Sequence, residues 1–191
     1  MGAGELPAWV AAELPPAYAD LARQIAALRE EARRFEDIAG ALWQTGPPLM
    51  LSVRHLFAAL GFETDLAVID RSYSLRVSLD GQRRLLVEAA GDIAPLQRKS
   101  PPVSRLLRAL QEDAGEHDRL VLAVNAFCDL PLDARRGDPV APDALRLLQR
   151  LGANVVTTAT LFGLWKYSLT DIDAARRSIL QLYGQDGGIY R

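Results

Sequence analysis

The chain is poor in the residues that most site chemistry depends on. It has one cysteine, Cys128, two histidines, His55 and His117, and two lysines, Lys99 and Lys166. A single cysteine closes no disulfide within the chain, and so few Cys and His residues build no zinc site. Neither histidine has a partner at ligand or triad spacing, so surface or packing roles are expected for both. Nothing near Cys128 would lower its pKa, and a small buried residue rather than a nucleophile is expected there. No apolar run approaches the roughly 18 residues of a membrane-spanning helix. The start, Met1-Gly2-Ala3-Gly4-Glu5, lacks the basic and apolar regions of a secretory signal. Leu6 stands where a myristoylation signal carries Ser or Thr. The expectation is a cytoplasmic, bacterial protein.

An excess of charge of either sign is also missing. The formal net charge is -2 over 191 residues, which argues against a strongly basic nucleic-acid binder. The bases are nearly all arginine throughout, as in chains from GC-rich coding sequences, so arginine abundance alone does not mark a phosphate site. A Gly-rich GxxxxGK phosphate loop is absent. What is present is an apolar fraction of 49%, enough for one domain with a proper core plus an extra segment.

The extra segment lies first. After a Pro-containing leader, residues 1–13, with Trp9 and Val10 as candidate anchors, a long helix is predicted from Leu14 to Leu42. Leu14, Tyr18, Leu21, Ile25, Leu28, Ala32, Phe35, Ala39 and Leu42 recur in alternating steps of four and three. Such a seam, flanked by Arg23, Arg29, Glu30, Glu31, Arg33, Arg34 and Glu36, predicts a coiled coil and a homodimer through residues 14–42. A helix folding back on its own domain is the alternative. Residues 14–45 are therefore assigned to dimerisation, 46–183 to the main domain and 184–191 to a loose tail.

In the main domain the period changes. A helix over 49–60 is closed by Gly61. Phe62 to Ile69, Tyr73 to Leu79 and Arg84 to Glu88 read as strands, with Asp70-Arg71-Ser72 and Asp80-Gly81 as turns. A helix over 102–113, a buried parallel strand over Leu120–Asn125, a helix over 142–151, a strand over Asn154–Thr157 and helices over 159–168 and 171–182 follow. Trp165, Lys166 and Tyr167 are read as a packed helix end. The order predicts an α/β fold, a mixed sheet with helices on both faces.

Over residues 46–183 this order and the local sequences resemble the PD-(D/E)xK, or restriction-endonuclease-like, superfamily. The resemblance is carried by the helix running into Leu60-Gly61-Phe62 and by the strand Arg84-Leu85-Leu86-Val87-Glu88. It continues in Leu120 to Phe127 with Asp129-Leu130-Pro131, in Pro142-Asp143-Ala144, and in Thr157-Thr158 with Leu161-Phe162. It implies a restriction-endonuclease-like mixed sheet flanked by helices. It also implies a site in which two carboxylates hold Mg²⁺ and a lysine stands beside the attacking water.

Carried over residue by residue, the second acid falls on Glu88. The lysine falls on Ala90, and the first acid falls near Ser74. Two of the three roles are lost, so no catalytic residues and no cofactor are expected. Ser74, Glu88 and Ala90 are relic positions. The implied protein is a catalytically inactive nuclease-fold module that binds a protein partner. One alternative is a divergent Mg²⁺-dependent DNA nuclease with a relocated site of Glu88, Asp92 and Lys99, in which Glu88 and Asp92 hold the metal. Another is a non-cleaving nucleic-acid binder using Arg98, Lys99, Arg105 and Arg108, which the charge balance disfavours. Glu88 could also simply face solvent or pair with Arg76 or Arg84 across the hairpin.

Overall fold

A computed structural model describes residues 8–69, 72–112 and 114–190. It divides into two compact units, Met1–Glu36 and Asp37–Arg191. The boundary expected at residue 45 lies inside the second unit. Ile38, Gly40 and Ala41 are already buried there, with Ile38 and Ala41 in its core.

The first unit is helical. Helix α1, Ala8–Glu13, falls in the segment expected to be a leader. Trp9 is 72% exposed, so it does not serve as the anchor expected of it. Helix α2, Pro16–Ala39, follows and ends in a 3₁₀ turn, Gly40–Leu42. The seam is exposed along the helix: Tyr18, Leu21, Ile25, Leu28 and Phe35 lie between 42% and 64% exposed. Ala39 and Leu42, its last two positions, are half-buried.

The second unit is mixed α/β, built on one six-stranded sheet in the order β1-β2-β3-β4-β5-β6. Helix α3, Gly46–Ala59, carries Pro47 and Pro48 in its first turn, where no helical N–H is needed. It ends in a Schellman motif: Gly61 N–H donates to Ala58 O and Phe62 N–H to Phe57 O. Gly61 has φ of +81°, which glycine adopts without a Cβ penalty. Strands β1, Glu63–Ile69, β2, Ser72–Ser78, and β3, Arg84–Asp92, form an antiparallel meander. Asp70 and Arg71, the expected turn, lie outside the described residues. The Asp80 carboxylate accepts the N–H groups of Gln82 and Arg83 and closes the second turn.

From β3 onward the sheet is parallel. Helix α4, Pro101–Glu112, leads to β4, Asp118–Ala126, and helix α5, Pro142–Arg150, to β5, Asn154–Thr157. Helices α6, Thr158–Ser168, and α7, Ile172–Gly184, precede β6, Gly188–Tyr190, which pairs parallel with β5. The loose tail is thus corrected to an edge strand. Its entry is fixed by Asn154, whose side chain is fully buried. The Asn154 amide donates to Leu182 O at 2.7 Å and Gln185 O at 3.0 Å and accepts Gly187 N–H at 2.9 Å.

Strand alternation sorts the core into two layers. Leu75, Val77, Leu85, Val87, Val121 and Ala123 face α3, α6 and α7. Leu86, Ala90, Leu120, Leu122 and Val124 face α4 and α5. Trp165 is buried at the end of α6 against Phe162, as a packed helix end would be, while Tyr167 is exposed. Among the described residues no helix is long and apolar enough to cross a membrane.

Candidate functional site

The strand that carries Glu88 does not end there. Its parallel register with β4 continues through Ala90↔Val124 to Asp92↔Ala126. Ala89, Ala90 and Gly91 are therefore strand residues, and Asp92 closes the strand rather than following it. Small side chains here allow close packing on both faces. Ala90 is buried among the residues under α4 and α5. A Cβ on Gly91 would meet Gln44 O at 2.8 Å, so the chain entering α3 runs directly over this point.

Glu88 is 6% exposed and lies on the face covered by α4. Its Oε1 accepts two hydrogen bonds from Arg105 of α4, from Nε at 2.8 Å and from Nη2 at 2.6 Å. Burial pushes the Glu88 carboxyl above its ordinary value, and the Arg105 guanidinium pulls it part of the way back. Neither candidate hairpin partner reaches it. Arg84 makes a two-pronged pair with the buried Asp118, at 2.9 and 2.8 Å, and Arg76 lies 3.9 Å from Asp65.

Ser74 and Glu88 lie on neighbouring strands. Leu75 of β2 is registered with Val87, so Ser74 is the next residue along β2 on the side where Glu88 follows Val87. A hydroxyl stands at position 74, where the resemblance implies a carboxylate. The relocated set does not come together. Glu88 and Asp92 share a strand face, but four residues of parallel strand separate them by about 13 Å. Asp92 is exposed and accepts the Ile93 N–H at 2.7 Å. Lys99 is exposed in the loop before α4.

Compared with protein-family models, curated proteins and solved structures, the chain matches none.

The donor set decides how a divalent cation would fare here. A hard cation takes carboxylate and carbonyl oxygens at about 2.0–2.6 Å from several directions. Glu88 offers a carboxylate already neutralised by a guanidinium inside the sheet–helix layer, Ser74 a neutral hydroxyl, and Ala90 nothing. Among the described residues no group of three or more His, Cys, Asp or Glu side chains is placed to hold a metal ion. The residues present at these positions do not fit Mg²⁺.

Arg105, expected among the phosphate-facing arginines, instead pairs with Glu88. Its neighbours carried the signal: Val103 and Leu106 are the buried positions of α4, so residue 105 borders the apolar stripe. A long arginine stem beside such a stripe reaches inward as readily as outward. With Arg105 so engaged, the basic set of Arg98, Lys99, Arg105 and Arg108 loses its central member.

A second polar network was not legible at all. Asn125, nearly fully buried in β4, donates to Gln44 O at 3.0 Å and accepts from Arg135 Nη1 at 2.8 Å. Arg135 also donates to Leu130 O at 3.0 Å and Leu42 O at 2.5 Å. One guanidinium thereby ties the long loop after β4 to the turn before α3. Each partner is distant in sequence from another, and three of the acceptors are main-chain oxygens that carry no sequence signature.

Proposed function

We propose that the unit Asp37–Arg191 is a degenerate PD-(D/E)xK, restriction-endonuclease-like domain that no longer cleaves nucleic acid. In this reading the protein is a cytoplasmic interaction or regulatory module, dimeric through α2, and its partner is another protein. The observation that carries the reading is the state of Glu88. The one surviving acid of the relic set is drawn into an ion pair with Arg105 beneath α4. The order of helix, three-strand meander, helix and parallel strand supports the family resemblance, and the exposed apolar seam of α2 supports the dimer.

The test is titration calorimetry with Mg²⁺ and with Mn²⁺, alongside incubation with supercoiled plasmid. No binding site and no nicking above a buffer control are expected, for the native chain and for Glu88→Ala alike. Metal-dependent nicking that disappears in Glu88→Ala would overturn the proposal in favour of a divergent nuclease. Salt-sensitive retention of DNA without cleavage would replace it with the nucleic-acid-binding reading.

A further inference from the structure

We propose that the exposed seam of α2 takes a second copy of this chain in antiparallel orientation, with Ile25 of each copy packed on Leu28 of the other. The inference rests on the dimeric reading above and adds the orientation and register. In heptad terms Tyr18, Ile25 and Ala32 occupy a positions, and Leu21, Leu28 and Phe35 occupy d positions. Gln24 and Glu31 fall at g, and Arg29 and Glu36 at e. These flanking charges set orientation, because each orientation brings a different pair together.

A parallel pair sets g of one heptad against e of the next on the other helix. Glu31 would then face Glu36 of the second copy, and the symmetric contact would repeat the repulsion. A parallel pair also stacks each residue on itself. Ala32 would meet Ala32 between the layers of Leu28 and Phe35, leaving a gap that costs packing energy.

An antiparallel pair sets a against d, g against g and e against e. Centred between Ile25 and Leu28, it pairs Tyr18 with Phe35 and Leu21 with Ala32, so each alanine meets a leucine. Glu31 then faces Gln24, and Arg29 faces Ala22. Shifting the register by one heptad towards the C-terminal end places Glu31 on Glu31 and Arg29 on Arg29. Shifting it the other way leaves Phe35 without a seam partner. The central register alone of these three engages every exposed large seam residue from Tyr18 to Phe35 without opposing like charges. Tyr18, Leu21, Ile25 and Leu28 are 42–64% exposed in the single chain.

The experiment is disulfide trapping of the full-length chain in a Cys128→Ser background, in a glutathione redox buffer. Gln24→Cys is mixed once with Glu31→Cys and once with Arg29→Cys, and sedimentation velocity is run on the reduced proteins. The proposal expects a dimer and a 24–31 cross-link favoured over the 24–29 cross-link by on the order of tenfold or more, as proximity dictates. A dimer that forms the 24–29 cross-link instead overturns the antiparallel orientation and leaves the dimeric reading standing. A dimer that forms neither overturns the proposed register. A monomer at all concentrations overturns the dimeric reading itself.

Discussion

Truncating Glu88 leaves the Arg105 guanidinium against the sheet with no acceptor. Removing one member of a fully buried pair costs about 3–5 kcal/mol. Arg105 is 33% exposed and can recover part of its hydration, so Glu88→Ala is expected to cost about 2 kcal/mol. Urea unfolding checks the figure. The double variant Glu88→Leu, Arg105→Leu removes both charges from the same contact and should recover most of that loss. A double variant as unstable as the single one would show that the ion pair is not the cause. Two carboxyls also titrate in opposite senses. Asp80 is lowered to about 2 from the ordinary 3.8, first by the Arg83 and Gln82 N–H groups and then by the Arg83 side chain. Its contribution is complete above about 3.8 and is lost as pH falls through about 2. Glu88 is raised, so the folded state loses stability as pH climbs above its ordinary 4.5. Carboxyl chemical shifts followed by NMR should therefore show Asp80 titrating near 2 and Glu88 above 4.5. Asp80→Asn should remove the acid-side loss assigned to that residue.

Two glycines separate conformational from spatial constraint between elements. Gly61 needs its positive φ, but a Cβ there would meet only the far end of Arg176 at 3.8 Å. Gly61→Ala is expected to cost about 1 kcal/mol through backbone strain alone. Gly91 sits in an ordinary strand conformation, but its Cβ would press on the Gln44 carbonyl oxygen and Thr45. Gly91→Ala is expected to cost about 1–3 kcal/mol by overpacking, and Gly91→Ser no less. Thermal unfolding of the pair distinguishes the causes, since Gly61→Asn should recover part of the loss and Gly91→Asn should not. The same contrast explains what could be read in advance. Gly61 announced itself because a helix stop is a local signal. The β4 strand was equally plain, a continuous apolar run needing no partner to be identified. The continuation of β3 through Asp92 was hidden, because Ala89-Ala90-Gly91 has little strand preference of its own and is held by hydrogen bonds to β4. Strand β6 was hidden for a related reason: Gly187-Gly188 looks like a loose end until Asn154 receives it. Positions 74, 88 and 90 were grouped only through the family resemblance, whereas the engagement of Glu88 by Arg105 depends on how α4 crosses the sheet.

At the scale of the whole molecule, the two units give the chain two different dependences on its N-terminal helix. Ile38, Gly40 and Ala41 are buried in the second unit, the Leu42 carbonyl is held by Arg135 and the Gln44 carbonyl by Asn125. The first unit ends before all of these, at Glu36. A chain starting at residue 37 should therefore keep its core and unfold cooperatively. A chain starting at residue 45 loses two buried apolar side chains and leaves the Asn125 and Arg135 donors short of acceptors. Burying a side chain such as Ile contributes about 1.5–3 kcal/mol, and an unsatisfied buried donor costs about 1–3 kcal/mol. The shorter chain should accordingly be less stable than the longer by several kcal/mol, enough to remove much of a domain's ordinary margin. Urea unfolding of both fragments measures that difference. Sedimentation of the 37–191 chain asks a separate question of the same material. With Tyr18 to Phe35 removed it should be monomeric at concentrations where the full chain is dimeric. A persistent dimer of 37–191 would place self-association in the α/β unit and leave the seam for another partner.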